Sequence, residues 1–578
     1  MVNKDIIYNK ITELARKRGF VWSSSEIYGS IAGFIDYGPL GAMMKRRIEN
    51  MWRQFYVVQE GYYEIECPSI GIEPIYVASG HVGGFSDKMF QCPHCQEFFR
   101  ADHVAEVIGI QNAGTMSKQE LHDALINKKC LSCGKSFGSI DVFDFNLMFS
   151  TNIGPGSQRK GYLRPETAQG MFVNFQRLLR FYRDHLPFGA VQIGKSYRNE
   201  ISPRQGMIRL REFTQAEAEI FVDPKNKSHP FFERYAEYSM PLYGITQQEQ
   251  NEQPVTKTMR DAVNEGIIAN EYVAYYLALT HNFLCQVGIN PDRIRFRQHL
   301  PTERAHYATD CWDAEALSDR FGWVEIVGIA DRTDYDLKAH SRVSGEKMTL
   351  FVQYPAPKKV NKHLIVPNFS KLGPVYKDQA KQIAEIMSNT DIPDDVSNGL
   401  VISVNNTKIT IPPEMYTVKS ETVNVFGEEI TPHVIEPSYG IDRITYMVME
   451  HAYTEEKIDE DTRIVMKFKH SVSPIQVAVL PLMAKDTLDT IAKQLVNTLK
   501  DAGFQAEYDD TGAIGRRYRR QDEVGTPICV TIDYDTKEDG TATIRDRDSM
   551  NQFRAKISEI PNIISNIINN KQTFDQYI

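Results

Sequence analysis

The chain has 578 residues, a formal net charge of −9, 42% hydrophobic and 24% charged residues, which leaves ample core for three or four domains at about 150 residues each. No apolar run approaches the roughly 20 residues of a membrane span, and the N-terminal MVNKDIIYNKITELARKRGF is polar and helix-forming rather than a secretory leader, so a cytoplasmic protein is expected. The acidic balance argues against sequence-indifferent nucleic-acid binding and leaves local basic patches as the candidates for it.

Residues 4–18 predict a helix. Gly38-Pro39-Leu40-Gly41 opens a second helix through Tyr56, with proline in its first turn and an apolar stripe of Leu40, Met44, Ile48, Met51 and Phe55 suited to a core or a subunit interface. Cys92-Pro-His-Cys95 and Cys130-Leu-Ser-Cys133 sit 34 residues apart in a stretch, about 91–140, that reads as an insertion; two such pairs offer four thiolates to a structural zinc ion. Leu163 to Gly170, LRPETAQG, leads into a helix running towards Asp184, with Glu166 near its positive end.

Ala190–Phe221 predicts two strands joined by a loop at 201–208 containing Ser202-Pro203 and Gly206. On the return strand Arg209, Arg211, Phe213, Gln215, Glu217 and Glu219 share one face by period-two alternation. Cations, then an aromatic, then acids form an order that a solvated face does not require; it suits a ligand with an anionic end, a flat ring and an ammonium group.

Residues 224–290 read as a charged, largely helical insertion, and 345–425 as a strand-rich one. Gly322–Ala330 is an apolar strand that places Glu325 where a carboxylate needs a cation or metal. Glu436-Pro437-Ser438-Tyr439-Gly440 is read as the turn into a helix capped by Ser438. Arg443, early in that helix, calls for an anion nearby. From about Ser473 strands alternate with helices, an α/β pattern, with a helix expected over 486–503. This part contains Gly515-Arg516-Arg517-Tyr518-Arg519-Arg520, the densest positive cluster of the chain and a candidate RNA contact.

Arg198-Asn199-Glu200 followed by Arg209 to Phe213, together with Arg443 and the Pro39 helix, resemble the three signature motifs of class II aminoacyl-tRNA synthetases. The wording RNEISPRQGMIRLREFTQAEAEIF, LRPETAQGMF, SGHVGGFSD, ADRTDYDLKAHS and HVIEPSYGIDR is similar to that of glycyl-tRNA synthetases of the archaeal and eukaryotic homodimeric type, over roughly residues 10–560. The resemblance implies an α+β fold: a class II antiparallel-sheet catalytic domain over 1–470, flanked by helices, and an α/β anticodon-binding domain over 471–578. It implies ATP with magnesium as substrate, glycine and tRNA(Gly) as the other two, and a homodimer without the helical RNA-binding domain that some animal relatives carry ahead of the core. Zinc follows less directly, because many relatives lack some of the cysteines.

By the same resemblance ATP would meet Arg198, Asn199, Glu200, Ile208, Arg209, Leu210, Arg211, Glu212 and Phe213, then Glu325 (with magnesium) and Ile326, and Gly440, Ile441, Asp442 and Arg443. Arg198 and Arg443 would carry the catalytic charge stabilisation. Glycine would meet Arg100, Glu166, Phe213, Thr214, Gln215, Ala216, Glu217, Glu436, Pro437, Ser438, Tyr439 and Gly440, and tRNA would meet Arg516, Arg517, Arg519 and Arg520. A synthetase of the same subgroup for proline, threonine or serine, and a non-catalytic accessory factor, are the rival readings; the acid-rich pocket argues against the first and the retained arginines against the second.

Overall fold

The computed structural model describes residues 2–578 except 111–112, 158, 202, 204–205, 305–307, 389–398, 405–406, 459 and 486; Ser202 of the hairpin loop and Asp486, the expected start of a C-terminal helix, therefore lie outside the described residues. Two compact units emerge, Met1–Met348 with Pro432–Ile578, and Thr349–Thr431.

The larger unit is built on a nine-stranded sheet: β1 (Tyr63–Glu64), β2 (Phe188–Tyr197), β3 (Glu212–Val222), β4 (Ser239–Tyr243), β5 (Val255–Thr258), β6 (Ile294–Gln298), β7 (Asp310–Ser318), β8 (Gly322–Thr333) and β9 (His433–Gly440), in the order β5-β4-β6-β7-β8-β9-β3-β2-β1. Pairing is antiparallel except for β1 with β2 and β4 with β6. One face is sealed by the helix Glu271–Val287, apolar nearly all round and buried accordingly. Asn270 caps it through Val273 N–H, and Gly288 ends it at φ 107°. The helix Pro39–Arg53 packs its stripe into the same core: Met44, Ile48, Trp52 and Phe55 are at most 1% exposed. Of the expected stripe, Leu40 and Met51 pack against this core only partly buried, so it serves the core without being wholly covered by it.

Residues 224–290 are not simply helical. They supply β4 and β5 of the main sheet as well as its core helix; strands of four or five residues with Pro241 and Lys257 in them are too short and mixed to show a clear period of two. The turn expected at Glu436–Gly440 is strand. β9 runs to Gly440, which caps the helix Ile441–Ala452 in place of Ser438. The ladder from β9 to β3 breaks between Ser438↔Glu217 and Ile435↔Ile220, where Pro437 has no N–H to donate, and this is how a proline sits inside the sheet.

Thr349–Thr431 has its own small core, including Leu372, Ile383, Leu400 and Ile411, beneath the long antiparallel pair Leu350–Pro367 and Tyr416–Ile430. The C-terminal part has another, around a five-stranded sheet in which Ala506–Tyr508, Val477–Pro481 and Ile528–Ile532 run parallel and Thr541–Asp546 and Gln552–Lys556 antiparallel. Among the described residues no helix is long and apolar enough to cross a membrane.

Candidate active site

The polar face of β3 opens onto a cavity of about 160 Å³ whose walls include Arg198, Glu200, Arg209, Phe213, Gln215, Glu325, Ser438 and Arg443. Register explains the gathering: β2 and β3 pair Ser196↔Phe213 and Gln192↔Glu217, and β9 sets Ser438 opposite Glu217. At one end the Arg198 guanidinium lies between two rings, 5.3 Å from Phe213 and 5.4 Å from Phe85, and donates to Pro165 O at 3.2 Å. Arg209 pairs with Glu200 at 3.1 Å. Arg443 donates to Ile208 O (3.0 Å) and to the Glu325 carbonyl (2.8 Å), and pairs with the Glu325 carboxylate at 3.2 Å. Glu325 is not enclosed by apolar neighbours as its strand suggested. Its side chain is 52% exposed, and against the upward pull of desolvation Arg443 and Arg198 hold its carboxyl below the usual range.

The other end is a buried nest of acids. One Glu217 oxygen accepts from the N–H groups of Thr167 and Ala168 (both 2.8 Å) and from Thr167 Oγ1 (2.5 Å); the other accepts from Ser438 Oγ (2.6 Å) and Gln215 Nε2 (2.9 Å). Burial and then Glu166 push this carboxyl up, with donors from Ser438 and Thr167 pulling it back. Glu166 accepts from Gln169 Nε2 at 2.7 Å; burial raises its pKa, but His81 and Arg332 outweigh that and hold it well below the usual range. Burial drives the Glu436 carboxyl up to about 7, with Arg332 opposing and Glu217 and Glu166 adding to the push. Arg332 spans the nest, bidentate to Asp336 (2.8 and 3.0 Å) and contacting both Glu436 oxygens (2.8 and 3.0 Å). Glu219, one step further along β3, is fully buried and neither oxygen has a hydrogen-bond partner; burial and then Glu436 raise its pKa far above the ordinary value.

Not every expected residue points here. Arg211 is tied to the 32–33 loop, its Nη1 on Ala32 O (2.6 Å) and its Nε on Glu200 O (2.9 Å), because β3 begins only at Glu212 and the alternation does not reach back to it. Glu212 pairs with Lys195 at 3.3 Å. Thr214 and Ala216 project to the opposite face, as period two requires; Lys45 Nζ donates to Thr214 Oγ1 at 2.5 Å. Tyr439 is in the core with Tyr56 (2.9 Å) and Thr280 (2.6 Å), Ile441 is in the same core, and Asp442 binds Tyr37 Oη and Thr214 N at 2.5 Å each. These residues offer the cavity main chain or support. Leu210, Ile326 and Gly440 line it, and Pro437 is buried in β9. Asn199 is held by its N–H on Leu147 O at 2.8 Å. Arg100 is committed to Asp102 (2.6 Å) and lines, with Arg209, a separate depression.

Sequence reasoning missed Arg332, Thr167, His81 and Phe85. A cation was owed to the nest by the number of its carboxylates, and Arg332 stands four residues before Asp336, a spacing that brings the two together once the helix Tyr335–Ser344 starts.

In the 91–140 stretch the two cysteine pairs converge. All four sulfurs lie within 4.8 Å of one another, with Cys92–Cys133 at 4.0 Å and Cys95–Cys130 at 3.7 Å. These separations match the roughly 3.8 Å edge of a tetrahedron with metal–sulfur bonds of about 2.3 Å. Both pairs form the same knuckle: Gln96 N–H donates to Cys92 O, and Gly134 N–H to Cys130 O, at 3.0 Å each.

The basic run of the C-terminal part lies on the helix Ile514–Val524 and is largely used by the fold. Arg517 is 4% exposed and donates to Gly512 O (2.8 and 2.9 Å) and to Pro481 O. Arg520 holds Asp509 and Thr511 O. Arg519 reaches Asp522 at 3.6 Å with its side chain 41% exposed, and Arg516 is exposed. Arg517, expected at tRNA, lies on the face of the helix that turns inward, and its guanidinium is taken by main-chain carbonyls.

Comparison with known proteins settles the family. Residues 154–452 match the model of the tRNA synthetase class II core domain (G, H, P, S and T), and residues 476–567 that of an anticodon binding domain. A glycine-tRNA ligase of Methanothrix thermoacetophila is 50% identical over 570 residues, covering 98% of each chain. The chain belongs to the glycine-tRNA ligases. A glycine-tRNA ligase of Archaeoglobus fulgidus is 48% identical over the same share of both chains, and one of Methanococcus vannielii is 48% identical over 96% of this chain and 99% of its own. A solved Giardia lamblia prolyl-tRNA synthetase in complex with prolyl-adenylate aligns over 98% of this chain and 79% of its own with a TM-score of 0.53 at 11% identity, a likeness of fold alone. The fold is thus the class II synthetase core with a C-terminal anticodon-binding domain.

Proposed function

We propose that this enzyme joins glycine to tRNA(Gly) in two steps in the cytoplasm, and that the face of β3 holds the intermediate. The observation that carries the reading is the sequence of side chains on that face: Phe213 beneath Arg198 at one end, then Gln215, then Glu217 bonded to Ser438. In the first step a glycine carboxylate oxygen attacks the α-phosphorus of ATP, an O–P bond forms, and the bond to the bridging oxygen breaks to release pyrophosphate. In the second, a hydroxyl of the terminal tRNA ribose attacks the glycyl carbonyl and AMP leaves. Arg198 stabilises the charge on the α-phosphate, Arg209 and Arg443 take the outer phosphates, and Phe213 stacks on adenine, with Asn199 and Glu200 at its edge. Magnesium bound at Glu325 would neutralise phosphate charge. These are positioning and electrostatic roles.

Glycine offers only an ammonium and a carboxylate, so Glu166, Glu217 and Ser438, backed by Glu436, read the ammonium, and lack of room excludes larger amino acids. Glycine-dependent exchange of pyrophosphate into ATP tests the assignment: exchange with glycine and not with alanine, proline, threonine or serine is expected, and exchange with one of those instead of glycine would overturn it.

The four cysteines fit a structural zinc. One zinc per chain by metal analysis, lost in Cys130→Ser, is the expected result; a metal-free, fully active protein would contradict it. A homodimer is supported by an apolar patch outside the core, where Ile27, Tyr28 and Ile31 are 88%, 87% and 65% exposed. Sedimentation should give twice the chain mass.

A further inference from the structure

The SGHVGGFSD segment has no role in the proposed reaction, yet its His81 and Phe85 touch both ends of the site. Asn146 Nδ2 fastens the short helix His81–Gly84 through the carbonyls of His81 (3.2 Å) and Val82 (3.0 Å). Phe85, at its end, lies 5.4 Å from the Arg198 guanidinium, which also lies over Phe213. At its start the His81 imidazole lies between Ser79 and Glu166: Nδ1 is 2.7 Å from Ser79 Oγ, and Nε2 is 3.7 Å from Glu166 Oε2. Both side chains are nearly enclosed, at 13% and 14% exposure.

The chemistry of this row is directional. A hydroxyl donating to Nδ1 leaves the proton on Nε2, aimed at the carboxylate. Glu166 otherwise receives Gln169 Nε2 at 2.7 Å, and a carboxylate has room for further donors. At 3.7 Å the imidazole restrains Glu166 without closing a full hydrogen bond, a separation of the kind that tightens when substrate is bound. We propose that His81 is a positioning residue for amino-acid recognition: aligned by Ser79, it fixes the Glu166 carboxylate that takes the glycine ammonium, and the helix carrying it presses Phe85 on Arg198 at the phosphate end. This rests on the reading that Glu166 binds the ammonium.

A purely structural part is the competing explanation, since His81 also packs edge-on against Tyr76 and Phe85. Four variants separate the two in pyrophosphate exchange, with thermal unfolding measured alongside. His81→Phe keeps a ring and loses both nitrogens; glycine KM should rise roughly tenfold, the size of a hydrogen bond to a charged group, with ATP KM within twofold. His81→Gln keeps a donor for Glu166 and should restore glycine KM to within about threefold of the parent. If phenylalanine preserves glycine KM and glutamine does not, His81 is packing only and the proposal is overturned. Glu166→Gln should raise glycine KM at least as much as His81→Phe, and the double variant should add little to it. If Glu166→Gln leaves glycine KM unchanged, the ammonium reading itself fails. If Glu166→Gln raises it and His81→Phe does not, only the role of His81 fails.

Discussion

The face of β3 and the helix Ile514–Val524 carry the two groups of charges that stand out in the sequence, and the fold treats them in opposite ways. Along β3 the fold leaves polar groups short of partners: neither Glu219 oxygen has a hydrogen-bond partner among the described residues, and in the cavity that Phe213 and Gln215 line, Arg443 and Glu325 meet half in the open. On the helix, Arg517 and Arg520 are spent on carbonyls and on Asp509, and Asp522 collects Arg463 and Arg545 at 2.8 and 3.1 Å in a buried ionic hub. Charge that the fold leaves half-exposed beside a cavity is available to a ligand; charge that it buries in pairs with other charges holds the domain together. Density of charge alone does not distinguish the two.

Substitutions should therefore separate activity from stability. Arg198→Ala should lower glycine-dependent pyrophosphate exchange by about a thousandfold, the upper range for losing one transition-state donor, with an unchanged unfolding midpoint; parallel loss of both would put Arg198 with the structural arginines. Arg517→Ala should do the reverse. It takes the donor from the buried Pro481 carbonyl and from Gly512 O and should cost about 2 kcal/mol in denaturant unfolding, while KM for glycine and ATP stays put in the folded protein. A change in either KM would blur the contrast.

Glu219→Gln tests the unpartnered acid through pH. Its pKa is raised in the fold, so the folded chain keeps a proton that the unfolded chain loses above about 4.5. The carboxyl therefore favours the fold fully below that pH, and this is lost as pH rises towards the folded pKa. Glutamine has no such slope. The variant should gain on the parent as pH rises above 4.5, read from denaturant midpoints at pH 5, 6 and 7; identical slopes would show that the fold does not hold a proton on Glu219. The smallest effect belongs to the two outward arginines: Arg516→Ala with Arg519→Ala should weaken tRNA binding a few-fold and flatten its salt dependence, without touching stability.

The alternation of β3 was legible because one face is polar and the other packs in the core, so period two shows plainly from Phe213 to Glu219. It misled at Arg211, which precedes the strand and answers to a loop far away in sequence. Pro437 and Ser438 carried turn and cap signals that are sound locally; a gap in the ladder lets the strand override them. Arg332, His81 and Phe85 were illegible for a different reason. Each acts through a contact across the fold, with Glu436, Glu166 and Arg198 respectively; the local spacing of Arg332 points only to Asp336, and nothing near His81 or Phe85 announces its contact. The cysteine pairs were readable because the ligand spacing is local, and only their convergence needed the fold.

The central claim is that one strand face reads the adenylate from ring to ammonium. A crystal structure with a non-hydrolysable glycyl-adenylate analogue tests it most directly. The account predicts the adenine on Phe213 and the ammonium nitrogen within about 3 Å of Ser438 Oγ and of the Glu166 or Glu217 carboxylate. An ammonium directed instead at Glu325, or an adenine away from Phe213, would contradict it.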